Sequence, residues 1–153
     1  MTQKELEFGF SQLNRELHDA RTPHREAYKK SLRDLEEQKE LLRNDYNSQR
    51  TTMLQEISNL KTKQNELLRD GVAKYSSSYD NLRIEIDNTQ LSLSALKQQF
   101  GADMLNITKQ INKAHTEYES ICIKLREDFN AKKHALEQQY LAEIAMSNEN
   151  PEE

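Results

Sequence analysis

The chain has 153 residues, 35 % of them hydrophobic and 31 % charged, with three glycines, two prolines, one cysteine and no tryptophan. So small an apolar share is below what a compact domain uses, and so few turn formers leave little room for short elements. A net charge of −4 gives the whole chain no electrostatic pull toward nucleic acid, and none is expected as a partner. One cysteine excludes an intrachain disulfide, and no apolar run is long enough for a signal peptide or a membrane span. A reducing, cytoplasmic setting is the expectation.

The apolar residues keep helical spacing for more than a hundred residues, which a disordered chain has no reason to do. The first element opens on Thr2 and Glu5, spaced as a capping box. Leu6, Phe10, Leu13, Leu17 and Ala20 then share one face. Thr22-Pro23 interrupts, because a residue before proline disfavours the α region and proline suits the first turn of a new helix. A short helix over 1–22 is therefore expected, ending at a break or a kink.

The first long arm, 23–69, carries Tyr28, Leu32, Leu35, Lys39, Leu42, Tyr46, Gln49, Met53, Ile57, Leu60, Gln64 and Leu67 at steps of three and four. Residues 70–79, from Asp70-Gly71 through a serine-rich stretch, are expected to form a turn, with Ser77 and Asp80 starting the next helix. The second arm, 80–146, continues with Leu82, Ile86, Thr89, Leu93, Leu96, Phe100, Met104, Ile107, Ile111, Ala114, Tyr118, Ile121, Leu125, Phe129, Lys132, Leu136 and Tyr140. Residues 147–153 are polar, contain Pro151, and read as a frayed tail.

This pattern predicts an all-α fold: an elongated antiparallel helical hairpin or coiled coil. A parallel coiled-coil dimer is the alternative. If the chain folds back over 70–80, residues facing each other sum to roughly 149 or 150 by these boundaries. Two successive steps of four centre on Met53 and again on Phe100. Such stutters unwind a supercoil locally, and the hairpin places the two nearly opposite each other. Leu41, Leu54, Leu68, Ile84, Leu91, Leu105 and Ile123 fall off the seam, more apolar surface than one two-helix contact uses.

No phosphate loop or nucleophile elbow is present, and no two of His18, His24, His115 and His134 are spaced i, i+4. His115 and Glu119 lie one turn apart and read as a solvated pair, as do the acidic doublets Glu36-Glu37 and Glu127-Asp128. Cys122, beside seam residue Ile121, reads as a small hydrophobe. No catalytic residue, metal or cofactor is expected.

One charge feature stands out. Arg21, Arg25, Lys29 and Arg33 recur every four residues, joined by Lys30 and offset within that window only by Glu26. Such a row suits an acidic partner, a polymer surface or anionic lipid. The competing reading is a solvated face paired with Glu117, Glu119, Glu127 and Asp128 of the opposite arm. The expected function is a non-enzymatic structural or scaffolding protein that assembles with itself or another coiled coil, in a cytoskeletal or ciliary setting. The alternatives are a BAR-like membrane-surface module and an adaptor subunit of a helical hetero-complex. Nine basic against fourteen acidic residues from Asp70 onward argue against the membrane module.

Overall fold

The computed structural model describes residues 1–74 and 76–149. Two helices account for nearly all of them: α1, Gln3–Arg69, and α2, Ser77–Glu149. They pack against each other as an all-α helical hairpin, so the parallel arrangement is not the one adopted. Three sets of local bonds define where the helices start and stop.

At the start of α1, the Thr2 amide donates to Glu5 Oε2 at 3.1 Å and the Glu5 amide donates to Thr2 Oγ1 at 3.2 Å. Both otherwise orphaned donors are thereby satisfied, as the capping-box spacing requires. At its end, Gly71 takes φ +86°. The Val72 amide reaches back to Leu67 O at 2.9 Å and the Gly71 amide to Leu68 O at 3.2 Å, the bond pair of a Schellman motif. The next helix is capped by Ser76, whose Oγ accepts from the Tyr79 amide at 3.3 Å.

Helix α1 runs through Pro23 without interruption. The expected separate helix over 1–22 is therefore the first part of α1. A proline inside a helix loses one amide donor and crowds the carbonyl four residues back, at a cost of about 3 kcal/mol. Here that carbonyl belongs to Asp19, and both Asp19 and Pro23 are exposed, so water can serve the freed acceptor. Leu13 and Leu17 before the proline and Tyr28 after it are all half-buried, and this packing on both sides holds the helix together. At the other end, residues 147–149 are helical rather than frayed. The remainder of the expected tail, 150–153, lies outside the described residues.

The hairpin consists of two units, Met1–Arg33 with Ile111–Glu153, and Asp34–Gln110. In the second unit, Ile57, Leu60 and Ile86 form a buried cluster against which Leu82 and Leu93 pack. Tyr46 stacks on Phe100 in the same unit. In the first unit, Tyr28 stacks on Tyr118, and Gly9 lies so close to Leu136 that an added Cβ would sit 2.6 Å from Cδ2. The missing side chain at Gly9 lets Leu136 seat against the backbone of α1.

The seam is narrow. Among the described residues, Leu35, Ile57, Leu60, Ile86 and Ile107 are the buried hydrophobics. The seam residues Leu32, Leu42, Met53, Leu82, Leu93, Leu96, Phe100, Met104, Ile111 and Leu125 are half-buried. Two helices alone cannot enclose a side chain on every side, which is why so small an apolar fraction suffices.

The facing residues differ from expectation by about one turn. Tyr46 and Phe100 sum to 146, not 149 or 150. The difference arises at the turn: α1 ends at Arg69 and α2 starts at Ser77, three residues before Asp80, so the turn takes fewer residues than expected. Met53 therefore does not face Phe100. Gln49, read as a seam residue, is exposed and donates to Asp45 Oδ2 at 2.9 Å. Lys132 is likewise exposed. Its neighbour Lys133 is half-buried, with Nζ 5.2 Å from the centre of the Phe10 ring.

Candidate partner-binding face

The basic row lies wholly within the first unit, on α1. Steps of four residues advance about 400° round a helix, so the row turns by about 40° at each step. It begins at the edge of the seam and ends on the outside. Arg21 is accordingly half-buried, while Arg25, Lys29 and Arg33 are exposed. Lys30, also exposed, sits about 100° further round than Lys29 and stands apart from the row.

Among the described residues, the carboxylates expected to neutralise the row form no ion pair with it. Glu117 approaches Lys113 Nζ at 3.9 Å on its own helix, and Glu119 approaches His115 Nε2 at 3.1 Å. Among the described residues, no ion pair within 4.0 Å involves Arg21, Arg25, Lys29, Lys30 or Arg33. The Arg21 Nε is buried and has no hydrogen-bond partner. The row is thus a set of cations without an ion-pair partner among the described residues.

Beside it lies an open groove lined by Tyr28, His115, Tyr118, Glu119, Cys122, Ile123 and Arg126. Tyr28 and Tyr118 stack face to face, their centroids 4.6 Å apart and their planes 5° from parallel. The Tyr28 hydroxyl meets His115 Nδ1 at 3.0 Å. In the neutral tautomer that carries its proton on Nε2, toward Glu119, Nδ1 accepts from the tyrosine hydroxyl. The Cys122 thiol beside the Tyr118 hydroxyl holds that phenol above its ordinary pKa, and burial adds to the effect. The Arg21 and Arg25 guanidiniums act in the opposite direction. Arg126, on the groove wall, brings a further cation from α2.

Arg126 and the tyrosine pair were not singled out from the sequence. Tyr28 and Tyr118 were legible as seam residues, but their stacking depends on the register across the seam. A single arginine on α2 carries no local signal. Among the described residues, no cluster of histidine, cysteine, aspartate and glutamate is grouped to hold a metal, and no helix is long and apolar enough to cross a membrane. What the arrangement offers chemically is an exposed row of point charges and donors beside two flat rings. That suits adsorption of an extended acidic surface rather than enclosure of a small molecule. Comparison with protein-family models, with curated proteins and with solved structures finds no match to this chain.

Proposed function

We propose that the chain is a non-enzymatic coiled-coil scaffolding protein whose two-helix body presents binding faces to other macromolecules. The face we assign first is the basic row at Arg21, Arg25, Lys29 and Arg33, with Lys30 and Arg126 at its margins. Its partner is an acidic protein surface, either another coiled coil or a cytoskeletal polymer with acidic segments. One observation carries this reading: among the described residues, the cations form no ion pair within 4.0 Å across the seam. Arg25, Lys29 and Arg33 are exposed beside an aromatic groove, free to meet an acidic surface.

The test is binding of a fluorescent glutamate-rich peptide to the full chain, titrated at several salt concentrations. Affinity should fall steeply with salt, since exposed charges are screened over about 8–10 Å at physiological ionic strength. Arg25→Glu/Lys29→Glu/Arg33→Glu should weaken binding at least tenfold while leaving helicity unchanged. Equal binding by the triple variant would remove the assignment. Vesicles of phosphatidylserine form the second arm: binding to them but not to the peptide would replace this reading with the membrane-surface one.

A further inference from the structure

The second unit, Asp34–Gln110, carries an apolar face that its own seam does not use. Leu91, Gln98 and Leu105 each stand two residues before a seam residue, namely Leu93, Phe100 and Ile107. Two residues turn the helix by about 200°, so this row lies on the side of α2 facing away from α1. Leu91 is 69 % exposed and Leu105 55 %. The positions between them on the same face are Ser94, Ala95, Gly101 and Ala102, all small and all exposed. From Asn88 to Thr108 only Lys97 and Asp103 are charged, in a chain that is 31 % charged throughout.

Gly101 has no internal reason to be glycine. An added Cβ would meet nothing within 4 Å, and the residue does not take a positive φ. A glycine in a helix interior costs about 1 kcal/mol relative to alanine. A cost with no benefit inside the protein points to close approach from outside it.

The face is also its own complement. Read in both directions from Gln98, Ala95 matches Gly101, Ser94 matches Ala102, Leu91 matches Leu105, Asn88 matches Thr108, and Asp87 matches Lys109. Small residues oppose small ones, leucine opposes leucine, and an acid opposes a base. Among the described residues, neither Asp87 nor Lys109 is in an ion pair within 4.0 Å.

From this we infer that the outer face of α2 between Asp87 and Lys109 docks on the same face of a second copy of this chain, antiparallel, about a two-fold axis at Gln98. Leu91 packs on the partner's Leu105 and the reverse, while Ser94, Ala95, Gly101 and Ala102 let the two backbones approach closely. Asp87 meets the partner's Lys109 at each end, which fixes the register. An isologous contact of this kind needs a surface that matches itself under reversal, and this one does. The inference rests on the reading of the chain as an assembly protein and names the surface through which it meets its own kind.

Sedimentation of the full chain over a wide concentration range, with Ala95→Glu/Ala102→Glu alongside, tests the surface. The wild type should dimerise, and the double variant should weaken dimerisation about a hundredfold with unchanged helicity, since both residues are exposed. Asp87→Lys alone should weaken it about tenfold, and Asp87→Lys/Lys109→Asp should restore it. With Cys122 replaced by alanine, Gln98→Cys should form an interchain disulfide on oxidation. Asn88→Cys, whose copies lie about 30 Å apart across the two-fold, should not. Self-association that persists undiminished in Ala95→Glu/Ala102→Glu overturns this surface and leaves the assembly reading in place. A wild type that stays monomeric at every concentration overturns both the surface and self-assembly, leaving peptide binding at the basic row as the separate measure of the scaffolding reading.

Discussion

The ring of Tyr46 lies flat against that of Phe100, their centroids 4.2 Å apart and their planes 9° from parallel. This contact sets which residues of α1 and α2 share a level within the second unit.

Its energetic signature is coupling. Truncating Phe100 to alanine should cost up to about 3 kcal/mol, toward the low end for a phenylalanine because the ring is half-buried. In a double-mutant cycle with Tyr46→Ala, the two losses should fall short of additive by about 0.5–1.5 kcal/mol. The same cycle run between Met53 and Phe100 should be additive, since the residue that faces Met53 lies one heptad, about 10 Å, from Phe100. Urea unfolding at several protein concentrations measures both, and keeps folding apart from association. Coupling at Met53 with none at Tyr46 would refute the register.

Gly71 should resist replacement. Its φ of +86° lies in the left-handed region, where a Cβ crowds the following carbonyl. Gly71→Ala should therefore lower stability by about 1–2 kcal/mol, although the added methyl meets no atom within 4 Å. Gly71→Asn should cost less, because asparagine tolerates this conformation. The urea midpoint reads the difference, and a neutral Gly71→Ala would mean that the turn is not held as described.

Tyr118 gives a pH dependence with a definite sign. Its folded pKa is raised, chiefly by the Cys122 thiol beside its hydroxyl. The folded chain thus holds this proton more tightly than the unfolded chain does. The stability from this contact is complete below the unfolded pKa and is lost as pH rises through the folded one. Cys122→Ala should move the tyrosinate absorbance transition toward lower pH. Loss of Arg21 or Arg25, whose charges favour the phenolate, should move it higher.

The stripe from Leu32 to Leu125 was readable because apolar side chains at steps of three and four have one sensible place to go. The hairpin was readable because Gly71 and the serines after it offer the chain its one uncrowded place to turn. The level at which residues face each other was not, since it depends on how many residues the turn takes, and Ser76, Ser77 and Ser78 are all residue types that can start a helix. The continuity through Pro23 was hidden because local sequence states the cost of the proline but not the packing of Leu17 and Tyr28 that offsets it. The unpaired state of the basic row was also hidden. Glu117 and Glu119 meet Lys113 and His115 on their own helix; the spacing shows that such i,i+4 pairs can form, but not that they form in place of pairs across the seam.

The placement of the turn has a consequence for how the chain folds. Leu60 and Ile86, clustered near Gly71, are separated by 26 positions in the sequence, whereas Gly9 and Leu136 are separated by 127. Closing the longer loop directly from the unfolded chain costs only about 1.4 kcal/mol more in entropy, because that cost grows as the logarithm of length. Once the pairs beside the turn are made, each further pair adds only a few residues of free chain to what is already closed. The expected order of assembly follows distance from Gly71, with the Leu60–Ile86 cluster made before the Gly9–Leu136 contact.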